Sequence, residues 1–100
     1  MKLLAFVILF AAAAASHAAG GGQRLYASCA ACHGTAGAGS GGVLPRLAGQ
    51  PKDALADSMR AFKAGTRQAT IMQQIAKGYS DEQIELIAAY LAAQPAERRK

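Results

Sequence analysis

The stretch Cys29-Ala30-Ala31-Cys32-His33 decides how this sequence folds around a ligand. It contains the two cysteines of the chain, three positions apart, and a histidine directly after the second. Leu25 and Tyr26 precede Cys29 by four and three residues, which predicts a short amphipathic helix from Gly21 that ends at His33-Gly34. On one helical turn, a spacing of three places both thiols on the same face. The stretch therefore presents two thiols and an imidazole to one common ligand.

The Cys-x-x-Cys-His spacing is typical of covalent haem attachment, in which both thiols form thioethers and the histidine binds iron. A thioredoxin-like redox pair would need a preceding strand and βαβ units, and neither pattern is visible. A zinc site needs about four ligands, and a surface disulfide would give His33 no role. We predict one haem c attached through Cys29 and Cys32, with His33 as the proximal iron ligand.

The second axial ligand is a methionine, a weaker ligand such as lysine or tyrosine, or absent, because His33 is the only histidine after residue 18. Met59 follows Leu55 and precedes Phe62 at helical spacing, so we interpret it as a core residue. Met72 follows a glycine-opened stretch that indicates a loop or a helix start, from which a side chain can reach a haem. We predict Met72 as the distal ligand, because Met/His is a standard haem coordination.

The first 18 residues predict a secretory signal peptide. Lys2 precedes an unbroken apolar run from Leu3 to Ala15, and Ser16-His17-Ala18 has the small-x-small form of a cleavage site. The run is shorter than the roughly 20 residues of a membrane-spanning helix. We expect cleavage after Ala18, export to the periplasm, and a single domain of residues 19–100 with no stable membrane span.

Length and charge limit the class of protein. One hundred residues suffice for one small domain, which buries only about 60% of its unfolded surface and usually needs a disulfide, a metal or a cofactor to stabilise it. The chain carries a net charge of +5, and residues 46–77 contain six basic but only two acidic residues. This distribution favours a basic side that steers an acidic partner. We expect no nucleic-acid partner, because aromatic residues do not interleave with basic clusters and the predicted export would take the protein away from nucleic acid.

The remaining patterns predict an all-α fold with three main helices. The second helix is expected over about 52–64, and the third over about 81–93, where Ser80 and Gln83 form a capping box. Residues 34–42 contain five glycines and indicate a flexible loop that passes the haem. No alternating apolar pattern predicts a strand.

The chain resembles class I c-type cytochromes over about residues 21–94, which have the attachment motif, a distal methionine and a C-terminal helix in this order. Three segments are similar to the haem subunit of flavocytochrome c sulfide dehydrogenase and to related periplasmic dihaem cytochromes c: Pro45-Arg46-Leu47-Ala48-Gly49-Gln50, Phe62-Lys63-Ala64-Gly65-Thr66-Arg67 and Met72-Gln73-Gln74-Ile75-Ala76-Lys77-Gly78-Tyr79-Ser80. The resemblance implies a single-domain class I cytochrome c fold, with three main helices around one covalently attached haem.

The resemblance also implies roles for single residues. The carbonyl of Pro45 would accept the Nδ1 proton of His33, which fixes the tautomer and raises the basicity of the ligand. Leu47 and Ile71 would line the haem. Gly21 and Leu25 in the first helix would cross the last helix near Tyr90. Arg46 and Arg67 would be partners of the haem propionates.

We expect an electron-transfer protein rather than an enzyme, in which iron cycles between Fe(II) and Fe(III) while His33 and Met72 both stay bound. One hypothesis is a free shuttle between redox partner proteins. A second is a tightly bound cytochrome subunit that accepts electrons from a flavoprotein sulfide dehydrogenase subunit. A third is a ligand-binding or peroxidatic haem protein with an open sixth position.

Overall fold

The computed structural model describes residues 21–39 and 44–96 of the chain. Its helices are α1 over residues 21–26, α2 (Ala30–His33), α3 (Lys52–Ala64), α4 (Met72–Ala76) and α5 (Asp81–Ala92), with a 3-10 turn at Thr35–Gly37. The described residues contain no strand, and the longest helices are α3 and α5, which confirms the predicted all-α class. Within these ranges no helix has the length and apolar character needed to cross a bilayer. The predicted signal peptide, residues 1–18, lies outside the described residues.

Helix α3 has the predicted bounds. Asp53 in its first turn and Lys63 in its last turn place charges that suit the helix dipole. The helix ends at Gly65, whose φ of 77° is left-handed and whose N–H donates to the carbonyl of Phe62 at 3.1 Å. A glycine at this position avoids the steric cost that a Cβ has in the left-handed region.

Helix α5 begins with the predicted capping box. The Ser80 hydroxyl accepts from the backbone N–H of Gln83 at 3.1 Å, and the Gln83 side chain accepts from the N–H of Ser80 at 2.9 Å. The helix ends at Ala92, one residue before the prediction. The core cluster buries one face of α5 against α1 and α3, and consists of Tyr26, Leu55, Ala56, Ile84, Ile87, Ala88 and Leu91.

The cysteine-bearing segment differs from the continuous helix that the sequence predicted. A tight turn over residues 27–29 separates α1 from α2. In this turn the N–H of Cys29 donates to Tyr26 at 2.8 Å, three residues back, and the Ser28 hydroxyl donates to the carbonyl of Leu25 at 3.3 Å. Serine hydroxyls compete for helix carbonyls in this way, and bonds to the third residue back tighten the turn.

Helix α1 crosses α5 through Gly22, one residue after the glycine implied by the resemblance. A Cβ added to Gly22 would lie 2.8 Å from Cβ of Tyr90 and closer still to the carbonyl oxygen of Leu86, whereas one added to Gly21 would only meet Leu86 Cδ1 at 3.8 Å. Gly22 shares a face with Tyr26, four residues on, whose ring lies 5.7 Å from that of Tyr90. This face turns the backbone of Gly22 toward α5.

Candidate functional site

His33 ends α2 in a nearly buried position, with 8% of its surface exposed. Its Nδ1 lies 3.1 Å from the carbonyl oxygen of Pro45. Because a carbonyl can only accept, Nδ1 carries the proton and donates, which leaves the lone pair on Nε2. The hydrogen bond implied by the resemblance is therefore present, and it fixes the tautomer that binds a metal through Nε2.

Two backbone hydrogen bonds hold in place the segment that carries the Pro45 carbonyl. The carbonyl of Gly37 accepts from the N–H groups of both Leu47 and Ala48, at 2.9 and 3.0 Å. Gly37 is buried at the end of the 3-10 turn. The first half of the predicted flexible loop is therefore a folded turn, because its backbone bonds fix it to the segment that follows; residues 40–43 lie outside the described part.

Tyr26 contributes a contact that the sequence patterns did not reveal. Its hydroxyl donates at 2.6 Å to the carbonyl of Gly34, the residue that follows His33. This hydrogen bond ties α1 to the end of α2. Burial raises the pKa of Tyr26 to about 12, so the phenol stays protonated and keeps donating. Burial also raises the pKa of the Cys29 thiol.

A cavity of about 390 Å³ lies next to these groups, within the range of about 300–1,000 Å³ typical of cofactor sites. Every predicted site residue lines it: Cys29, Cys32, His33, Pro45, Leu47, Ile71 and Met72. Three exposed large apolar side chains also lie in its wall: Leu44, Ile71 and Ile75. The cavity thus joins both thiols and the imidazole to an apolar wall that continues onto the surface.

Both methionines of the described chain line the cavity. Met59 lies in the middle of α3 and packs against the core cluster. Met72 is the half-buried first residue of α4 and is not part of that cluster. The predicted difference in packing between the two side chains is therefore present, although both reach the cavity wall.

The two implied propionate partners have different surroundings. Arg67 lies in the cavity wall, where its Nη1 donates to the Ser58 hydroxyl at 2.8 Å and its guanidinium stacks 4.8 Å from the centre of the Phe62 ring. Arg46 instead donates to the carbonyl of Ala96. The structure therefore places one of these two arginines at the cavity.

The predicted basic side is partly neutralised by α5. Of the six basic residues between positions 46 and 77, three form ion pairs: Lys52 with Glu85, Arg60 with Asp57 and Glu85, and Lys63 with Asp81. The charge count over residues 46–77 did not predict these ion pairs, because two of the three acids, Asp81 and Glu85, lie outside that segment. They reach the basic residues only through the packing of α5 on α3.

The donor set fits a haem. In the ranges 21–39 and 44–96, no group of three or more His, Cys, Asp or Glu side chains is arranged to hold a metal ion on its own. The cavity wall instead contains the His33 imidazole, whose Nε2 carries the lone pair, two methionine thioethers and two cysteine thiols. These are the groups that attach and ligate a c-type haem.

Comparison with known proteins agrees with this geometry. The sequence profile of the family described as Cytochrome c matches residues 19–94. The chain belongs to the cytochrome c family. This cytochrome therefore carries covalently attached haem c and is an electron-transfer protein rather than an enzyme.

Individual relatives are similar over different shares of their length. The cytochrome subunit of sulfide dehydrogenase from Chlorobaculum tepidum is 44% identical over 69 residues, which are 69% of this cytochrome and 62% of the relative. Cytochrome c-554(548) from Halomonas halodenitrificans is 41% identical over 79 residues, 76% of this chain and 95% of the relative. A solved structure of cytochrome c4 from Acidithiobacillus ferrooxidans has a TM-score of 0.68 at 36% identity, and the match covers 72% of this chain and 46% of that one. This cytochrome thus spans about half of the cytochrome c4 chain and nearly all of cytochrome c-554(548).

Proposed function

We propose that this chain is a periplasmic monohaem cytochrome c that carries single electrons, with His33 and Met72 as axial ligands. When bound through Cys29 and Cys32, the haem supplies an iron centre that cycles between Fe(II) and Fe(III). The observation that carries the proposal is the hydrogen bond from His33 Nδ1 to Pro45, which leaves Nε2 as the ligating atom in a cavity that Met72 also lines.

The residues of the cavity wall suit electron transfer. The Pro45 carbonyl fixes the tautomer of the imidazole and holds its orientation. Leu47 and Ile71 cover the cavity with apolar surface, which lowers the local polarity and so adjusts the reduction potential. If His33 and Met72 both stayed bound in each oxidation state, the iron would have no open position for a substrate.

The choice of Met72 over Met59 rests on packing and chain position. Met59 belongs to a 13-residue helix and fills the core beside Leu55. A residue of this kind moves only with the core, whereas Met72 starts a short helix after an irregular connection. Met72 is also the methionine that stands about forty residues after the attachment motif, as the cytochrome c order requires.

The sequence supports the proposed number of haems and the proposed export. One Cys-x-x-Cys-His motif supports one haem. The family match begins at residue 19, directly after the proposed cleavage site at Ala18. Intact mass and N-terminal sequencing of the protein from a native periplasmic extract test both points, with a chain starting at Ala19 plus one haem as the expected result.

The visible spectrum tests the ligation. We expect the ferric protein to show the Met-to-iron charge-transfer band and the ferrous protein not to bind CO. If CO binds readily and the band is missing, the sixth position is open and the hypothesis of a ligand-binding haem protein replaces this one.

Acid-acetone extraction tests the attachment. Haem should stay with the wild-type polypeptide and leave the double variant Cys29→Ala/Cys32→Ala. Retention of haem by the double variant would show that other residues hold it.

A second candidate function is that of a tightly bound subunit of a sulfide-oxidising flavoenzyme. It is favoured by the 44% identity to a relative named as the cytochrome subunit of sulfide dehydrogenase, and by the exposed apolar residues Leu44, Ile71 and Ile75 beside the cavity. Size-exclusion chromatography of native extract distinguishes the two. Elution of the haem at the mass of a small monomer supports the shuttle, and co-elution with a flavoprotein supports the subunit.

A further inference from the structure

Helix α4, which begins at Met72, has little stability of its own. It comprises five residues, and Ile71 at its N-cap makes no side-chain capping bond. Helices this short do not form in isolation, because nucleation costs more than a single turn recovers. At its other end Ala76 is fully buried and anchors the helix. Contacts outside α4 must therefore fix the end that carries Met72.

Arg67 provides a fixed point on the connection between α3 and α4. Its backbone N–H donates to the carbonyl of Ala61 at 3.3 Å. Its guanidinium reaches back to α3, where it donates to Ser58 at 2.8 Å and stacks on Phe62 at 4.8 Å. Both the backbone and the side chain of Arg67 are thus tied to a well-packed helix.

Gln73 links the first turn of α4 to this fixed point. Its Nε2 donates to the carbonyl oxygen of Arg67 at 2.8 Å. The bond closes residues 67–73 into a loop whose intervening residues are mostly exposed, with Ile71 60% exposed. Since Gln73 directly follows Met72, this one hydrogen bond restrains the backbone that carries the thioether.

We propose that the hydrogen bond between Gln73 and the Arg67 carbonyl positions Met72 and thereby sets how readily an external ligand displaces it. This inference rests on the proposed ligation by Met72. An external ligand binds the fraction of molecules in which the thioether has moved away, so its apparent affinity rises in proportion to that fraction. Arg67 and Gln73 act through Met72 and are positioning residues.

Imidazole titration of the ferric holoprotein measures this fraction. Gln73→Glu keeps the size of the side chain but removes the N–H donor, and Gln73→Leu removes its polarity as well. The same two changes at exposed Gln74, in the same turn of α4, are the matched controls. From the net strength of one hydrogen bond, we expect imidazole to bind about threefold to tenfold more tightly to both Gln73 variants, with the Gln74 variants like wild type.

The outcomes separate this inference from the proposed function. A wild-type protein without the Met-to-iron charge-transfer band would overturn ligation by Met72 itself. With the band present, equal imidazole affinities for the Gln73 and Gln74 variants would overturn the positioning role. If the Gln73 variants do not mature, Ser58→Ala removes an anchor of Arg67 instead, and an unchanged affinity in that variant counts against the proposal in the same way.

Discussion

Arg60 on α3 donates a hydrogen bond to Glu85 on α5, with 2.9 Å between Nη2 and Oε1. The second oxygen of Glu85 lies 3.8 Å from Nζ of Lys52, so one carboxylate pairs with two cations of α3. The hydrogen bond to Glu85 raises the pKa of Arg60 above its usual value. These contacts fix the relative rotation of α3 and α5, the two helices that carry most of the core.

Glu85→Gln tests this link. Because the side chains of both pairs are still 39–50% exposed and such pairs contribute about 0–1 kcal/mol each, we expect the free energy of unfolding to fall by roughly 1 kcal/mol or less. Screening weakens the Coulomb contribution, so the difference from wild type should shrink in 1 M salt, where the Debye length is about 3 Å. Thermal unfolding at low and high salt measures both, and a difference that does not change with salt would mean that Glu85 acts through packing.

Much of the fold could be predicted because local chemistry determines it. Gly65 ends α3 through its left-handed φ, and Ser80 with Gln83 starts α5, both independently of the rest of the chain. The break between α1 and α2 could not be predicted, because the Ser28 hydroxyl also hydrogen-bonds Tyr79, 51 residues away, at 2.6 Å. The ion pairs between α3 and α5 also arise only when the two helices meet.

In the candidate site, too, some residues could be predicted from the sequence and others could not. The attachment motif alone predicts roles for Cys29, Cys32 and His33, since each residue type serves a separate bond, and all three line the cavity. The contacts of Tyr26 with Gly34, and of Gln73 with the Arg67 carbonyl, involve backbone acceptors, which any residue provides and no sequence pattern marks.

Met72→Ala should remove the Met-to-iron charge-transfer band, allow CO to bind the ferrous protein, and lower the reduction potential, because a methionine ligand raises it. Visible spectra and redox titration of the purified protein measure these changes.

Met59→Leu is the matched change. It conserves volume in a packed position, so it should cost less than about 1.5 kcal/mol of stability and leave the spectrum as in wild type. The opposite result, a lost band in Met59→Leu and a retained band in Met72→Ala, would assign the ligand to Met59.

Gly22→Ala should destabilise the crossing of α1 and α5. The new Cβ would meet the backbone of Leu86 and Cβ of Tyr90, which cannot move aside as a flexible side chain does. Overpacking of this kind costs about 1–3 kcal/mol, and each kcal/mol lowers the Tm of a domain this size by roughly 4–8 °C.

Gly21→Ala is the control, since its Cβ would make an ordinary contact at 3.8 Å with Leu86 Cδ1. Alanine favours the helix over glycine by up to about 1 kcal/mol, so this variant should be as stable as wild type or slightly more stable. Equal losses in thermal unfolding of the two variants would show that both glycines face α5.

Tyr26→Phe removes the phenol that donates to the carbonyl of Gly34 and leaves that acceptor without its partner. At neutral pH we expect a loss of about 1–3 kcal/mol in the free energy of unfolding. The raised pKa of Tyr26 means that the folded state favours the neutral phenol: its contribution is complete below pH 10.0, the ordinary tyrosine value, and is lost as the pH rises toward about 12. Denaturant unfolding of both proteins from pH 7 to pH 12 should therefore show the advantage of wild type over Tyr26→Phe narrowing above about pH 10. An advantage that stays constant over this range would mean that the Tyr26 hydroxyl is ionised as easily in the folded protein as in the unfolded one.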